Sequence, residues 1–319
     1  MTTVSIYGAG QLGSAVAQLL RTRPATDVRG PFGREDRAAA LTGGADVVVI
    51  ATTTRLSDVL PDIAAAIASG SNVITSAEEA AHPSALDATA TTEIDSLARA
   101  AGVTILGGGL NPGFLFDALV LTLLGAAPAG CMIHVRRVVD ISGFGAVVLR
   151  RIGVGLSPDA FDQGVSGEAV FGHAGFPQSI KVVADAMALP LERVDRILRP
   201  VISDREISVS GHTTIHSGES AGVDQRYTGI VDGRPWFTAE FFGHVRLEDL
   251  GLERSDDIEL LLGESVYQRT SIRPGVDAQV GSANMIANSI ERVRDATPGW
   301  LTVADLPPAY PRISSTPVV

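Results

Sequence analysis

The sequence predicts an α/β protein: a doubly wound parallel sheet, followed by a second α+β domain built on an open, mainly antiparallel sheet. Three observations carry that reading. Strand-like and helix-like segments alternate through the first third of the chain. A glycine-rich turn joins the first strand to the first helix. After about Ala127 the alternation gives way to runs of strands with the helices set apart.

Residues 4–7 read as a buried strand and residues 11–20 as a helix. A short strand over residues 27–32 follows, then the β-branched run 46–52. Residues 56–68 fit a helix, 72–75 a strand, 85–101 a long helix and 103–106 a strand. Further on, residues 131–141 are strand-like, 146–172 read as irregular and glycine-rich, and 177–188 and 191–198 as helices. Two strand pairs are expected, 227–230 with 236–242 and 258–262 with 267–272, the first closed by the turn Val-Asp-Gly-Arg-Pro. Residues 281–293 read as a helix ahead of a proline-rich tail. The expected domains are therefore 1–125 and 126–280, with 281–319 forming a C-terminal helix and tail that pack back on the first.

Composition narrows the function classes. A length of 319 residues favours two domains, and 45% hydrophobic against 19% charged residues supplies a sizeable core. A net charge of −11 argues against electrostatic nucleic-acid binding, which needs a basic patch. The single cysteine, Cys131, excludes an internal disulfide framework, fits a reducing cytoplasm and reads as a small buried apolar residue. The first strand is entered by Val4, leaving no room for a signal peptide. No apolar run reaches the roughly 18 residues of a membrane span, so a cytoplasmic location without membrane contact is expected.

Gly8-Ala9-Gly10-Gln11-Leu12-Gly13 is a G-x-G-x-x-G that directly follows a strand and opens a helix. Its first glycine permits the tight turn, the second lets a pyrophosphate approach the backbone, and the third lets helix pack on strand. Free N–H groups at the helix start, from Gln11 onward, suit the phosphates. This places a Rossmann-type dinucleotide site in the first βαβ unit. Cofactor choice is read at the end of the second strand, where Phe32-Gly33 offers no carboxylate and Arg34 and Arg37 follow. Those arginines suit a 2′-phosphate and favour NADPH. Glu35 and Asp36 keep NADH open.

Ligands of such sheets lie beyond the carboxyl ends of the strands. At one of these ends Thr52 and Thr53 have side chains small enough to pack on a nucleotide, while Thr54 suits a helix cap. At the next, Thr-Ser-Ala-Glu-Glu places Glu78 and Glu79 near the expected nicotinamide. Partial burial beside a second carboxylate would raise a carboxyl pKa into a range useful for proton transfer. The same pair also fits a solvated turn that matches a helix dipole. The third end is Ile-Leu-Gly-Gly-Gly-Leu-Asn-Pro-Gly-Phe, with Asn111 read as a helix N-cap and Pro112 as the first helical residue. Its bare glycine backbone suits a nicotinamide amide or a polar substrate group. Tight packing of strand on helix needs only one or two of those glycines. No metal-ligand spacing appears, His212 and His216 lack a third partner, and no nucleophile elbow is present.

Over nearly its whole length the chain resembles the 2,4-diaminopentanoate dehydrogenases and related NAD(P)H-dependent amine dehydrogenases, which share the dihydrodipicolinate reductase fold. The resemblance rests on Gly-Gly-Gly-Leu-Asn-Pro-Gly-Phe, on Glu-Glu-Ala-Ala-His-Pro, and on Gly-His-Ala-Gly-Phe-Pro from Gly172. Two C-terminal stretches, Gly-Ile-Val-Asp-Gly-Arg-Pro-Trp and Thr-Pro-Gly-Trp-Leu-Thr-Val-Ala-Asp, add to it. In the second of these motifs Ala80, Ala81 and His82 replace the usual Leu, variable and Tyr positions; Asp277 and Gln279 also depart from the pattern.

The resemblance implies hydride transfer at nicotinamide C4 during reductive amination of a ketone, or the reverse oxidation of a small amine or amino acid. It puts proton transfer on Glu78 or Glu79. Phe144, Phe171, His173 and Phe176 become candidate pocket lining, with core packing as the other reading. Alternatives are an imine reductase that needs no ammonia and a non-catalytic NADPH-binding sensor. A homodimer is expected from the open sheet.

Overall fold

The computed structural model describes residues 1–209 and 213–311, and His212 lies outside them. The chain forms two compact units. One comprises Met1–Thr122, Gln178–Ala188 and the chain from Asp277 onward; the other comprises Leu123–Pro177 and Leu189–Val276. The segment Gln178–Ala188, placed by the sequence reading in the second domain, thus belongs to the first unit.

The first unit alternates β1 (Thr2–Tyr7), α1 (Gln11–Arg21), β2 (Thr26–Phe32), α2 (Arg37–Thr42), β3 (Val47–Ile50), α3 (Leu56–Ala68), β4 (Asn72–Thr75), α4 (Ala88–Ala101) and β5 (Thr104–Gly107). Helix α5 (Ala118–Leu124) follows after a turn. Every strand pair of its sheet is parallel, in the order β14-β5-β4-β3-β1-β2 with β14 at Gly299–Leu301. Short β-branched strands such as Val-Val-Val-Ile suit this buried position, because both faces are covered. Val48 and Ile50 pack with Ile63 of α3, while Val47 and Val49 pack with Val16 of α1 and Ile286 and Ile290 of α9 (Ala278–Arg294). The chain winds outward from β1 in both directions, so the topological switch lies between β1 and β3, where such sheets bind ligands.

The second unit carries β6 (Met132–Asp140), α6 (Ala146–Ile152), α7 (Pro158–Ser166), the start of α8 (Phe176–Ala186), β7 (Arg193–Ile202), β8 (Ile207–Val209), β9 (Thr213–Ile215), β10 (Ser220–Val231), β11 (Arg234–His244), β12 (Ser255–Leu262) and β13 (Ser265–Ile272). Its six-stranded sheet runs β13-β12-β6-β11-β10-β7, with β6 and β11 parallel and the other neighbours antiparallel. Ile133, Val135, Phe237, Ala239, Val223 and Ile258 fill one face. The other face holds cross-strand neighbours of alternating charge: Asp257 beside Arg136, Arg136 beside Glu240, and Glu240 beside Arg226.

Three local expectations fail for identifiable reasons. Residues 191–198 are not a helix: β7 pairs antiparallel with β10, from Arg193 opposite Ile230 to Ile202 opposite Ser220. Leu191, Val194 and Leu198 mimic helical spacing, but the strand lies at a sheet edge, where Pro200 is tolerated and few apolar side chains are required. Residues 146–172 are not irregular throughout. Helix α6 stops at left-handed Gly153 (φ 87°), and α7 starts at Ser157, whose hydroxyl accepts the Ala160 N–H with Pro158 as the first helical residue.

The third failure concerns Asn111, which does not cap a helix. Residues 111–117 form turns and α5 begins only at Ala118. Gly113 adopts φ 128°, outside the helical region, and the Gly109 N–H closes onto the Pro112 carbonyl at 2.7 Å across a cis Asn111–Pro112 bond. Among the described residues no helix is long and apolar enough to cross a membrane.

Candidate active site

The turn between β1 and α1 has the form a dinucleotide cradle requires. Gly8 adopts φ 128°, and a Cβ there would lie 2.3 Å from the Ala51 carbonyl oxygen at the end of β3. A Cβ on Gly13 would come within 1.9 Å of the Gly8 carbonyl oxygen, so this glycine lets α1 pack against β1. Over Gly10 a Cβ would meet nothing within 4 Å. The two flanking glycines are thus fixed by the protein's own packing, and the middle one leaves room for a pyrophosphate. Gln11, Leu12 and Gly13 form the first turn of α1, which no side chain caps and no acidic residue opens. Its N–H groups are the donors that phosphate oxygens need.

At the end of β2, Gly33 is overlain by the Glu35 carboxylate, 2.3 Å from where a Cβ would sit. Arg34 is exposed. Arg37 is engaged elsewhere: its Nε donates to Asp62 at 2.6 Å and its Nη2 to the Pro61 carbonyl at 3.2 Å. Of the two arginines, then, Arg37 is committed to holding α2 against α3.

Past β3, the Thr53 hydroxyl donates to Asp58 at 3.0 Å and accepts the Arg55 N–H at 3.2 Å, while Thr52 is half-buried in the same loop. A cap of α3 comes from Glu79, across from the neighbouring strand end. One Glu79 carboxylate oxygen accepts the Leu56 N–H at 2.7 Å, and the other lies 3.3 Å from Arg55 Nη1. Its side chain is only 12% exposed. Glu78 opens the short 3₁₀ turn Glu78–Ala81 and is half-buried.

The glycine run past β5 is closed by protein. A Cβ on Gly107 would fall 2.2 Å from the Ala80 carbonyl oxygen, and one on Gly113 2.4 Å from the Gly109 carbonyl oxygen. Gly107 lets the end of β5 nest against the segment that carries Glu78, and Gly113 lets the turn close on its own backbone, so tight packing accounts for both. What the turn presents is Asn111, whose Oδ1 is buried with no hydrogen-bond partner. A buried acceptor of this kind costs free energy until a donor reaches it, and a carboxamide or ammonium N–H is such a donor. Pro112 beside it is buried.

His82, at the end of the same β4 segment, is buried between Ser84 and Asp185, 3.0 Å from the Ser84 hydroxyl and 2.8 Å from the Asp185 carboxylate. Burial pushes its pKa down, with Asp185 opposing.

In the second unit, Phe171, His173 and Phe176 cluster and Phe144 does not join them. Phe144 is half-buried in the turn after β6, its N–H bonded to the Ile141 carbonyl. The buried Gln225 of β10 holds the segment: its Oε1 accepts the His173 N–H at 2.9 Å, and its Nε2 donates to the Phe171 and His173 carbonyls at 3.2 and 3.0 Å. Gly172, at φ 67°, has no room for a Cβ, which would lie 2.6 Å from the Gln225 amide. The His173 ring packs on Phe176 (4.8 Å between centroids) and Phe241 (5.9 Å), and Nδ1 accepts the Gly175 N–H at 3.3 Å. A neutral ring then carries its proton on Nε2. Phe176 is fully buried against Tyr227, and Phe171 lies under the Arg151 guanidinium at 5.2 Å.

Sequence reasoning passed over Gln225, Asp117 and Ser179. Asp117 had one signal, a carboxylate inside the apolar run Phe-Leu-Phe-Asp-Ala-Leu. Gln225 had none, because alternation along a strand does not say which face is buried. Among the described residues no group of three metal-ligating side chains forms.

A glycine turn of the dinucleotide-cradle form at the switch point of a parallel sheet, with carboxylates and an amide oxygen lacking a donor at neighbouring strand ends, is the architecture of the NAD(P)-dependent oxidoreductases. Residues 114–315 match the C-terminal domain of 2,4-diaminopentanoate dehydrogenase, and the chain belongs to that family. It is 29% identical to the 2,4-diaminopentanoate dehydrogenase of Acetoanaerobium sticklandii over 330 aligned positions, covering 95% of this chain and 93% of that one. Its fold is similar to that of an amine dehydrogenase from Mycobacterium smegmatis (TM-score 0.84, 21% identity, 98% and 97% of the two chains). A more distant likeness is to a protein of gentamicin A biosynthesis solved in complex with NAD (TM-score 0.52, 13% identity, 95% and 89% of the two chains).

Proposed function

We propose that the protein interconverts a small primary amine and the corresponding ketone plus ammonia, with Glu78 as the proton-handling group and NADPH as the preferred cofactor. The observation that carries the choice of glutamate is the engagement of Glu79, which caps α3 through Leu56 and pairs with Arg55. A carboxylate that must exchange protons with an ammonium cannot also hold a helix start without losing one role. Glu78 opens the same turn and is half-buried, which suits a base that takes a proton from the substrate ammonium, passes it to solvent, and as a carboxylate again stabilises the iminium cation left by hydride loss.

When bound, the nicotinamide supplies or accepts the hydride. The first turn of α1 would hold the pyrophosphate, the space over Gly10 would admit it, and the Asn111 amide oxygen would accept an N–H of the carboxamide. Arg34 supports NADPH, since it is exposed beside the end of β2 while Arg37 is paired with Asp62. The row of alternating charges across the open face of the second sheet is self-complementary under a two-fold rotation, which supports a homodimer. Light scattering coupled to gel filtration tests that point.

The test of the reaction is a ketone panel with ammonia and NADPH. Glu78→Gln should lose at least about 100-fold in turnover, and Glu79→Gln less than about tenfold. Full activity of Glu78→Gln would sink the assignment. Turnover that does not depend on ammonia would instead mark an imine reductase.

A further inference from the structure

The carboxylate of Asp117 is fully buried. Among the described residues no Lys, Arg or His forms an ion pair with it, and burial raises its pKa. Three donors converge on it instead. Its Oδ2 accepts the Gly113 N–H and the Ser179 hydroxyl, both at 2.8 Å, and its Oδ1 accepts the Ala118 N–H at 2.7 Å. A carboxyl group buried without a counter-charge costs several kcal/mol unless hydrogen bonds replace its hydration, so an apolar residue would serve packing better. The donors around it call for a group that accepts through both of two oxygens.

The donors define what is held. Gly113 ends the turn that contains Asn111 and Pro112, and its N–H is tied to Asp117. Gly109 is tied back to Pro112 at 2.7 Å. Asn111 therefore sits on a loop clamped at both ends, with its buried Oδ1 lacking a partner. Ser179 fastens the clamp to α8. The same helix carries Asp185, which meets His82 at 2.8 Å, so one helix braces both the Asn111 turn and the segment that bears Glu78.

We infer that Asp117 is a positioning residue: through Gly113 it sets the Asn111 turn so that the Asn111 amide oxygen meets the carboxamide of the nicotinamide cofactor. This rests on the cofactor reading given under Proposed function. Asparagine at 117 is nearly isosteric but would turn an N–H₂ group toward a donor, breaking the clamp while filling the space.

The experiment is a double-mutant cycle read by NADPH and NADH titration of protein fluorescence, with thermal unfolding alongside. Asn111→Ala and Asp117→Asn should each weaken cofactor binding about tenfold, and the double variant should bind no more weakly than either single one. Additive losses, or wild-type affinity in Asp117→Asn whatever its melting temperature, would overturn the inference. If Asp117→Asn does not fold, Ser179→Ala replaces it, with an expected loss of about twofold to threefold; unchanged affinity there overturns the proposal equally. Wild-type protein that binds neither dinucleotide would overturn the cofactor reading together with this inference. An effect confined to Asn111→Ala would remove only the role of Asp117.

Discussion

The Glu79 carboxylate, one residue inside the turn that follows β4, accepts the Leu56 N–H at 2.7 Å and caps the helix that follows β3. Two adjacent strand ends are thereby joined by one side chain at the site's rim. Removing the cap with Glu79→Ala should cost about 1 kcal/mol of stability, measured by urea unfolding. A variant as stable as the wild type would mean that another group caps α3.

Gly10 and Gly13 separate cofactor binding from folding. A Cβ on Gly10 meets nothing within 4 Å, so Gly10→Ala should keep the wild-type melting temperature while losing at least about tenfold in dinucleotide affinity. Gly13→Ala, which drives a Cβ to 1.9 Å from the Gly8 carbonyl, should lower both. Calorimetry and isothermal titration on the two variants check the contrast.

Arg34 and Arg37 should behave differently although they are three residues apart. Arg34→Ala should reduce the ratio of kcat/KM with NADPH to that with NADH by about tenfold or more. Arg37→Ala, which breaks the 2.6 Å contact with Asp62, should leave that ratio unchanged and lower only stability. Steady-state kinetics with both cofactors decides.

Arg137 and Asp256 form a fully buried ion pair at 2.9 Å in the second unit, and the pair also holds Val276 through its N–H and carbonyl. Removing one partner strands a buried charge. Asp256→Ala should therefore cost about 3–5 kcal/mol, read by chemical denaturation. A loss below about 1 kcal/mol would show that the charge finds water or another partner.

His82 should make the fold sensitive to acid. Its pKa is depressed in the folded protein because burial disfavours the imidazolium, so the unfolded chain binds the extra proton first. Its contribution is retained at neutral pH and lost as pH falls below about 6.5, the unfolded imidazole value. His134 opposes this, since the Glu240 beside it raises the His134 pKa, and His134 in turn holds the Glu240 carboxyl down to about 2. The test is therefore a difference: between pH 7.5 and 5.5 the His82→Asn variant should lose less melting temperature than the wild type. Equal losses would remove His82 as the source.

From residues alone, the first βαβ unit, the parallel sheet and the dinucleotide fingerprint were legible. Each rests on local chemistry: β-branched runs that can be buried on both faces, and glycines where backbone meets backbone, at Gly8 and Gly13, or where space is left open, at Gly10. Glu78 and Glu79 could be placed at a strand end, but the hydrogen bond by which Glu79 reaches Leu56, 23 residues away, was not legible there. Asn111 was visible as a polar residue at a strand end. Its helical setting was misread, because Asn-Pro before an apolar run has the same local preferences whether a helix starts there or seven residues later.

Only the tertiary structure decided which polar groups are spent on the fold and which remain for a ligand. Arg37 is taken by Asp62, Glu79 by α3, and Gln225 by the His173 segment, whereas the Asn111 oxygen is left without a donor. Those outcomes depend on partners distant in sequence and on the high cost of leaving a buried polar atom unpaired. Local propensity carries neither, so the sequence by itself determines the scaffold and the cradle. The assignment of roles within the site waits on the packing.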